Sequence, residues 1–191
     1  YLILQSLDAA NRYLADGYVQ KLAVFIETVQ QLKETLSAHG YSVQGDEPLK
    51  LTIGTKSYGY TGKQLAEILL KENIVCEFFD PDFAVMMLTP ETQQAGLKRL
   101  EQALLSIPRK PAIAEKPPVF HSCAAAMSVR DAVMSPWETV AVGESVGRIL
   151  GATSLGCPPA VPIVVCGEQI DRAAADCLHY YGIDTCQVIS K

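Results

Sequence analysis

Histidine is scarce in this sequence, three in 191 residues, and none of the three falls in a recognisable catalytic arrangement. GxSxG and HExxH are both missing, so a self-contained hydrolytic site is not expected. Basic residues are in the minority, 16 against 21 acidic, for a net charge of −5. With no basic run or stripe, nucleic acid is not an expected partner. No apolar stretch reaches the roughly 20 residues of a membrane helix, and no charged start leads into an apolar core of a signal peptide, so no membrane role is expected. The six cysteines, at 76, 123, 157, 166, 177 and 186, include no CxxC pair. His121 and Cys123 are close in sequence, but no second ligand pair follows, which argues against zinc. Reduced, mostly buried thiols in a cytoplasmic protein are the expectation.

What is present is globular in kind. Apolar residues make up 49% and charged residues 19%, and the length allows one large domain or two small ones. Tyr1-Leu-Ile-Leu is apolar, with no Met and no cap, which predicts a chain that starts inside an ordered element, as a fragment would.

Helical periodicity dominates the first forty residues. Leu22, Phe25, Ile26, Val29, Leu32 and Leu36 follow the i, i+3, i+4, i+7 pattern, with Gly17 as a break and Gly40 as a C-cap. A strand is predicted from Leu49. Thr61 is then expected to cap a helix with Leu65, Ile68 and Leu69 on one face. "IVCEFF" and "FAVMMLT" read as two strands around the turn residues Asp80-Pro81-Asp82. Thr89-Pro90-Glu91 predicts a helix start, with Leu97, Leu100 and Leu104 facing inward. The expected order is α-α-β-α-β-β-α.

Four prolines between Pro108 and Pro118 predict an exposed linker. Beyond it, Ser135-Pro136-Trp137-Glu138 has the form of a capping box and predicts a helix. "AVPIVVC" from Ala160 reads as a buried strand, Asp171 to Tyr181 as a helix ended by Gly182, and "CQVIS" as a last strand. The "ESVGRI" segment reads as the end of a helix.

Two places could carry chemistry. "GYTGKQL" fails as a phosphate loop, because Ser57 and Gln64 stand where Gly and Ser or Thr are needed. Glu77 interrupts an apolar strand. A period-two reading puts Val75, Glu77 and Phe79 on one face. A carboxylate among apolar neighbours needs a partner, either an internal Lys or Arg or a cationic ligand. Asp80 and Asp82 read as a solvated turn that could add negative potential. In the second half, Gly167-Glu168 precedes a helix, where Glu168 could satisfy free N–H groups.

At these residues the sequence resembles the ornithine/lysine/arginine decarboxylase family. That family's C-terminal segment reads like "AMSPREAF…EAVGRI…PYPPGIPL..PGE.I". Here the matches are Ala126-Met-Ser-Val-Arg-Asp-Ala132, Glu144-Ser-Val-Gly-Arg148-Ile149, Cys157-Pro158-Pro159-Ala-Val-Pro162 and Cys166-Gly167-Glu168. The opening "YLILQSLDAANRYL" resembles "SYLLMASLDAAR", and the stretch from Gly59 to Thr89 is also similar. The departures are Val129, Cys157, Ala160 and Cys166.

The resemblance implies an α/β (α+β) chain: the small domain of an aminotransferase-like fold plus the family's C-terminal α/β extension. Residues 1–107 would form linking helices and small domain, 108–122 a Pro-rich linker and 123–191 the extension. It implies pyridoxal phosphate, with the cofactor lysine outside this chain, so no catalytic residue is expected here. It implies Glu77 as ligand for the cationic end of a basic amino acid, with Arg148, Pro158, Pro159, Gly167 and Glu168 as further motif residues. The implied partners are a large cofactor domain on the same polypeptide and a second copy in a homodimer. Two rival readings stay open: a non-catalytic α/β binding module, and a part of another enzyme of the same cofactor, such as an aminotransferase.

Overall fold

The computed structural model describes residues 1–119, 121–152 and 162–190. The chain divides into two compact units, Tyr1–Ile113 and Ala114–Lys191.

In the first unit, α1 (Leu2–Ala15) and α2 (Tyr18–Ala38) follow one another across Gly17. Phe25, Val29, Leu32 and Leu36 of α2 are buried, as their spacing requires, whereas α1 buries no residue within this chain. The strands β1 (Ser42–Gln44), β2 (Lys50–Gly54), β3 (Phe78–Phe79) and β4 (Phe83–Met87) form an antiparallel sheet in the order β1-β2-β4-β3. Alternation along β2 and β4 buries Leu51, Ile53, Ala84 and Met86 on one face. There they share a core with α2, α3 (Gly62–Lys71) and α4 (Gln93–Ser106), so the helices cover one side of the sheet. On the other side Thr52, Val85 and Phe78 lie in register and stay half-buried.

Local chemistry sets the ends of these helices. The Thr61 hydroxyl accepts from the Gln64 amide at 3.2 Å, and the Gln64 side chain accepts from the Thr61 amide at 3.0 Å, a reciprocal cap on α3. Gly62, the next residue, lies hard against the β3–β4 turn: a Cβ there would stand 1.9 Å from the Phe83 carbonyl oxygen.

The first unit departs from expectation at four points. β1 is an added strand, only three residues long. "IVCEFF" shrinks to the two residues of β3, because Ile74 and Cys76 turn to pack on the core before pairing begins. Pro90 opens a 3-10 turn, Pro90–Thr92, and α4 proper starts at Gln93. Finally, the start of the Pro-rich stretch is tethered. The Lys110 amide donates to Tyr58 O at 3.1 Å, Ile113 N to Lys56 O at 3.0 Å and the Tyr60 hydroxyl to Pro108 O at 2.7 Å.

The second unit is built of short pieces. β5 (Ala124–Ala125) pairs with β7 (Glu168–Gln169), and β6 (Trp137–Ala141) pairs with β8 (Thr185–Ile189), each antiparallel; α5 (Val129–Met134) and α6 (Arg172–Tyr180) complete it. Leu150, Ile163, Val164, Ile170, Ala174, Cys177, Leu178, Cys186 and Val188 form its core. The Asp171 carboxylate caps α6 by accepting from Ala174 N at 2.8 Å.

Here the sequence reading needs more correction. Ser135 to Glu138 does not start a helix. Pro136 stands just past the end of α5, whose last turn is closed by the Ser135 hydroxyl on Asp131 O, and Trp137 enters β6. "ESVGRI" is not the end of a helix: Glu144 ends a 3-10 turn, Val142–Glu144, and a second turn follows, closed by the Arg148 amide donating to Ser145 O at 2.9 Å. In the "AVPIVVC" segment, Ala160 and Val161 lie outside the described residues; Ile163, Val164 and Cys166 are buried, the first two in a bend and the last in a turn, not in a strand. Glu168 belongs to β7 rather than to a helix cap.

Candidate functional site

Of the residues singled out in the sequence, Glu77 stands exposed in a bend. Its amide donates to Val85 O at 2.9 Å, which fixes the backbone one residue before β3. β3 is the edge of the sheet, and exposure alternates along it. Ile74, Cys76 and Phe78 are half-buried; Val75, Glu77 and Phe79 are exposed. The period-two grouping of faces does not carry through Glu77, which lies in a bend: Cys76 packs on the helix-covered core, whereas Phe78 stands opposite Val85 on the other side of the sheet. No Lys or Arg among the described residues pairs with the Glu77 carboxylate.

The two aspartates that follow are differently placed. Asp80 is buried, and its carboxylate accepts from Asp82 N at 2.7 Å and Phe83 N at 2.6 Å. Burial pushes its carboxyl above the usual range, against the downward pull of those two amides. Asp82 is ion-paired with Lys56 at 3.1 Å, both side chains 11% exposed. The expected solvated turn is thus a largely buried one, in which Asp82 is paired with Lys56 and Asp80 is held by two backbone amides. Lys56 escaped the sequence reading. The only signal for it was a lone cation in "TIGTKSYGY" after a strand.

The motif residues of the second unit serve its backbone. Arg148 Nη2 donates to Glu138 Oε1 and to Ile189 O, each at 2.6 Å, joining β6 to the end of β8. Gly167 has φ +91, and its carbonyl accepts from Ala126 N and Met127 N while its amide donates to Leu150 O. Glu168 Oε2 accepts from Val165 N at 2.8 Å and closes the preceding turn. Pro158 and Pro159 lie outside the described residues. Glu77 falls in the first unit and Arg148, Gly167 and Glu168 in the second.

A pyridoxal phosphate site needs a lysine free to form an imine. Lys56 is held by Asp82, and Lys33 Nζ donates to Glu47 O at 2.6 Å. Lys21 lies over the Tyr13 ring and Lys110 over the Tyr60 ring. These four lysines are engaged within the fold, and no cofactor step is derived from this chain. Among the described residues there is no cluster of three His, Cys, Asp or Glu that could hold a metal, and no helix long and apolar enough to cross a membrane.

No family model matches the chain. Among curated proteins it is 30% identical to an arginine decarboxylase of Halalkalibacterium halodurans, over 91% of this chain and 39% of that protein. It is 29% identical to an arginine decarboxylase of Bacillus subtilis, over 89% of this chain and 39% of that protein. The chain thus spans about two fifths of the length of these relatives. Among solved structures, the constitutive lysine decarboxylase of E. coli superposes with a TM-score of 0.58 at 16% identity, over 93% of this chain and 41% of that one. The lysine decarboxylase of Francisella novicida gives 0.60 at 16%, over 94% and 40%. The two structures share this mixed helix and sheet fold over most of the chain.

Proposed function

We propose that the chain is a C-terminal portion of an ornithine/lysine/arginine-type decarboxylase, that the full-length protein converts a basic amino acid to its amine and CO₂, and that this portion recognises the substrate's cationic end through Glu77. One observation carries the reading. Of the three carboxylates between residues 77 and 82, two are consumed inside the fold, and Glu77 alone is exposed with no cationic partner among the described residues. A carboxylate held by an ordered strand edge suits a guanidinium or ammonium through charge-assisted hydrogen bonds.

The cofactor of such enzymes takes up the electron pair left when the bond from Cα to the carboxylate breaks. Parts of a longer polypeptide would hold it. The bare apolar surface of α1, with Leu2 83% and Ile3 78% exposed, is suited to cover by that polypeptide or by a second copy in a homodimer. The five described cysteines are free thiols, in keeping with a cytoplasmic setting.

The test uses the full-length protein with added pyridoxal phosphate. CO₂ release is measured from arginine, lysine and ornithine, and from citrulline and norleucine as neutral counterparts. Turnover of at least one basic amino acid and of neither neutral one is expected. No turnover of any basic amino acid, or equal use of the neutral ones, would contradict the reading. The isolated chain, mixed with the cofactor, is expected to form no borohydride-reducible imine at a single lysine.

A further inference from the structure

One strand edge in the second unit is long, straight and open. β8 is occupied on both sides: β6 pairs with it along one side, and on the other Ile189 N donates to Ile149 O at 2.9 Å and Gly151 N to Gln187 O at 3.0 Å. β6 is occupied on one side alone. Ser190 N donates to Pro136 O and Val142 N to Asp184 O, each at 2.9 Å, so the even-numbered residues of β6 bond to β8. The N–H and C=O groups of Trp137, Thr139 and Ala141 therefore point away from β8. No backbone bond reaches them there from the described residues, and all three residues are exposed, Trp137 at 51%.

The usual guards of an open edge are missing from β6. It has no Lys, no Pro and no bulge in its register with β8. Its one charge, Glu138, is taken by Arg148. Val140 packs on the core, so Trp137, Thr139 and Ala141 lie on the opposite face of the strand.

We propose that β6 pairs with β6 of a second copy of this chain, antiparallel across a two-fold axis at Thr139. The proposal concerns assembly and stands apart from the reading of Glu77. Outward groups at 137, 139 and 141 are symmetric about 139. In that register every outward N–H meets an outward carbonyl of the copy, Thr139 against Thr139 and Trp137 against Ala141. The largest side chain of the strand then lies beside its smallest, and Glu138 lies beside Val140. An axis at residue 138 would instead set Glu138 against Glu138 and leave the outward groups of Ala141 unpaired; an axis at residue 140 would strand those of Trp137. The union converts two separate two-stranded sheets into one of order β8-β6-β6-β8, past the size at which a lone pair of strands is marginal.

The test uses the full-length protein carrying Thr139→Cys or, as a control, Thr185→Cys, an exposed site on β8 away from the edge. In the proposed sheet, position 139 lies roughly 5.5 Å from its counterpart, whereas position 185 is three strand spacings, at least roughly 14 Å, from its own. Each variant is treated with a short bismaleimide, and joined peptides are identified by mass spectrometry. Hydrogen exchange over residues 137–141 is compared in wild type and Thr139→Lys, which would set two like charges on the axis, with a thermal melt of each. A link between position 139 of two copies is expected, with none at position 185. Exchange is expected to be about tenfold faster in Thr139→Lys, the scale of one lost hydrogen bond. Absence of the link at position 139 overturns the proposal, whether the edge exchanges fast, as a bare edge would, or slowly, as it would under another segment of the polypeptide or a different protein. Exchange unchanged by Thr139→Lys overturns it too. Thr139→Cys is close to wild type in size and keeps the test decisive if Thr139→Lys does not fold.

Discussion

Residues 1–113 and residues 114–191 secure their backbones by different means. The first unit relies on long elements: a 21-residue α2 and a four-stranded sheet that share one core of Leu, Ile, Val, Met and Tyr. The second uses strands of two to five residues and helices of six and nine, around a core rich in Ala and Cys. Its pieces are joined by single contacts such as Gly147 N on Ile170 O at 2.7 Å and Gly167 N on Leu150 O at 2.8 Å. In the first unit Glu77 stands exposed without an ion pair among the described residues, whereas the polar motif residues described in the second are spent on internal bonds. Sequence motifs of equal distinctness can thus leave a carboxylate unpaired in one unit and close the fold in the other.

The sharpest way to break the contrast is steric. Gly62→Ala would drive a methyl to 1.9 Å from the Phe83 carbonyl oxygen, backbone against backbone. It is expected to cost more than about 4 kcal/mol or to prevent folding of the first unit. Gly143→Ala, in the second unit, meets nothing within 4 Å and should be nearly silent. Chemical denaturation of both variants checks the pair.

Core truncation comes next. Leu104 is fully buried, and Leu104→Ala should cost about 2–5 kcal/mol. Cys177→Ala, also buried, removes a single atom from a small-residue core and should cost about 1 kcal/mol. Equal losses would mean that the two cores are packed alike after all.

The same contrast explains what could be read from the sequence. Phe25, Val29, Leu32 and Leu36 repeat over enough turns for the 3.6-residue period to show, and the Thr61–Gln64 cap lies at the start of a ten-residue amphipathic helix. In the second unit no element is long enough to display a period. A Ser-Pro-x-Glu string at 135–138 has the composition of a helix start, but it follows α5, and only pairing with β8, distant in sequence, makes Trp137–Ala141 a strand. β1 was hidden for the same reason, being three residues paired with β2. At the site, the alternation of exposure from Ile74 to Phe79 was legible, but the bend at Glu77 that interrupts the faces was not. The commitment of Asp82 was not, because Lys56 lies 26 positions away and reaches it only through the fold.

Charge offers smaller tests. Asp82→Ala removes one partner of an ion pair whose two side chains are each 11% exposed, and a loss of about 3 kcal/mol is expected. Arg148→Ala breaks a pair whose Glu138 partner is 49% exposed, so a loss of about 1 kcal/mol is expected, mostly from the bond to Ile189 O. The smallest effect is at Asp80. Its carboxyl is shifted upward by burial, so the stability it contributes is full below the ordinary carboxylate pKa and is lost as pH rises through the shifted value. Asp80→Asn keeps an acceptor for the Asp82 and Phe83 amides. It should melt slightly above wild type at neutral pH, and the gap should close as the pH falls below the ordinary carboxylate range. A gap that widens on acidification would reverse the assigned direction.

The central claim is that the first unit recognises substrate while the second unit's carboxylate holds the fold, and one paired measurement addresses it. Glu77→Gln and Glu168→Ala are made in the full-length enzyme, and kcat/KM for its basic amino acid and Tm are recorded for each. Glu77→Gln should lower kcat/KM by tenfold or somewhat more, the scale of a charged hydrogen bond replaced by a neutral one, with Tm unchanged. Glu168→Ala, which removes the acceptor of the Val165 amide, should lower Tm and leave kcat/KM of the folded enzyme within about twofold. The reverse pattern, a lost Tm with intact kinetics at Glu77 and lost kinetics at Glu168, would contradict the account.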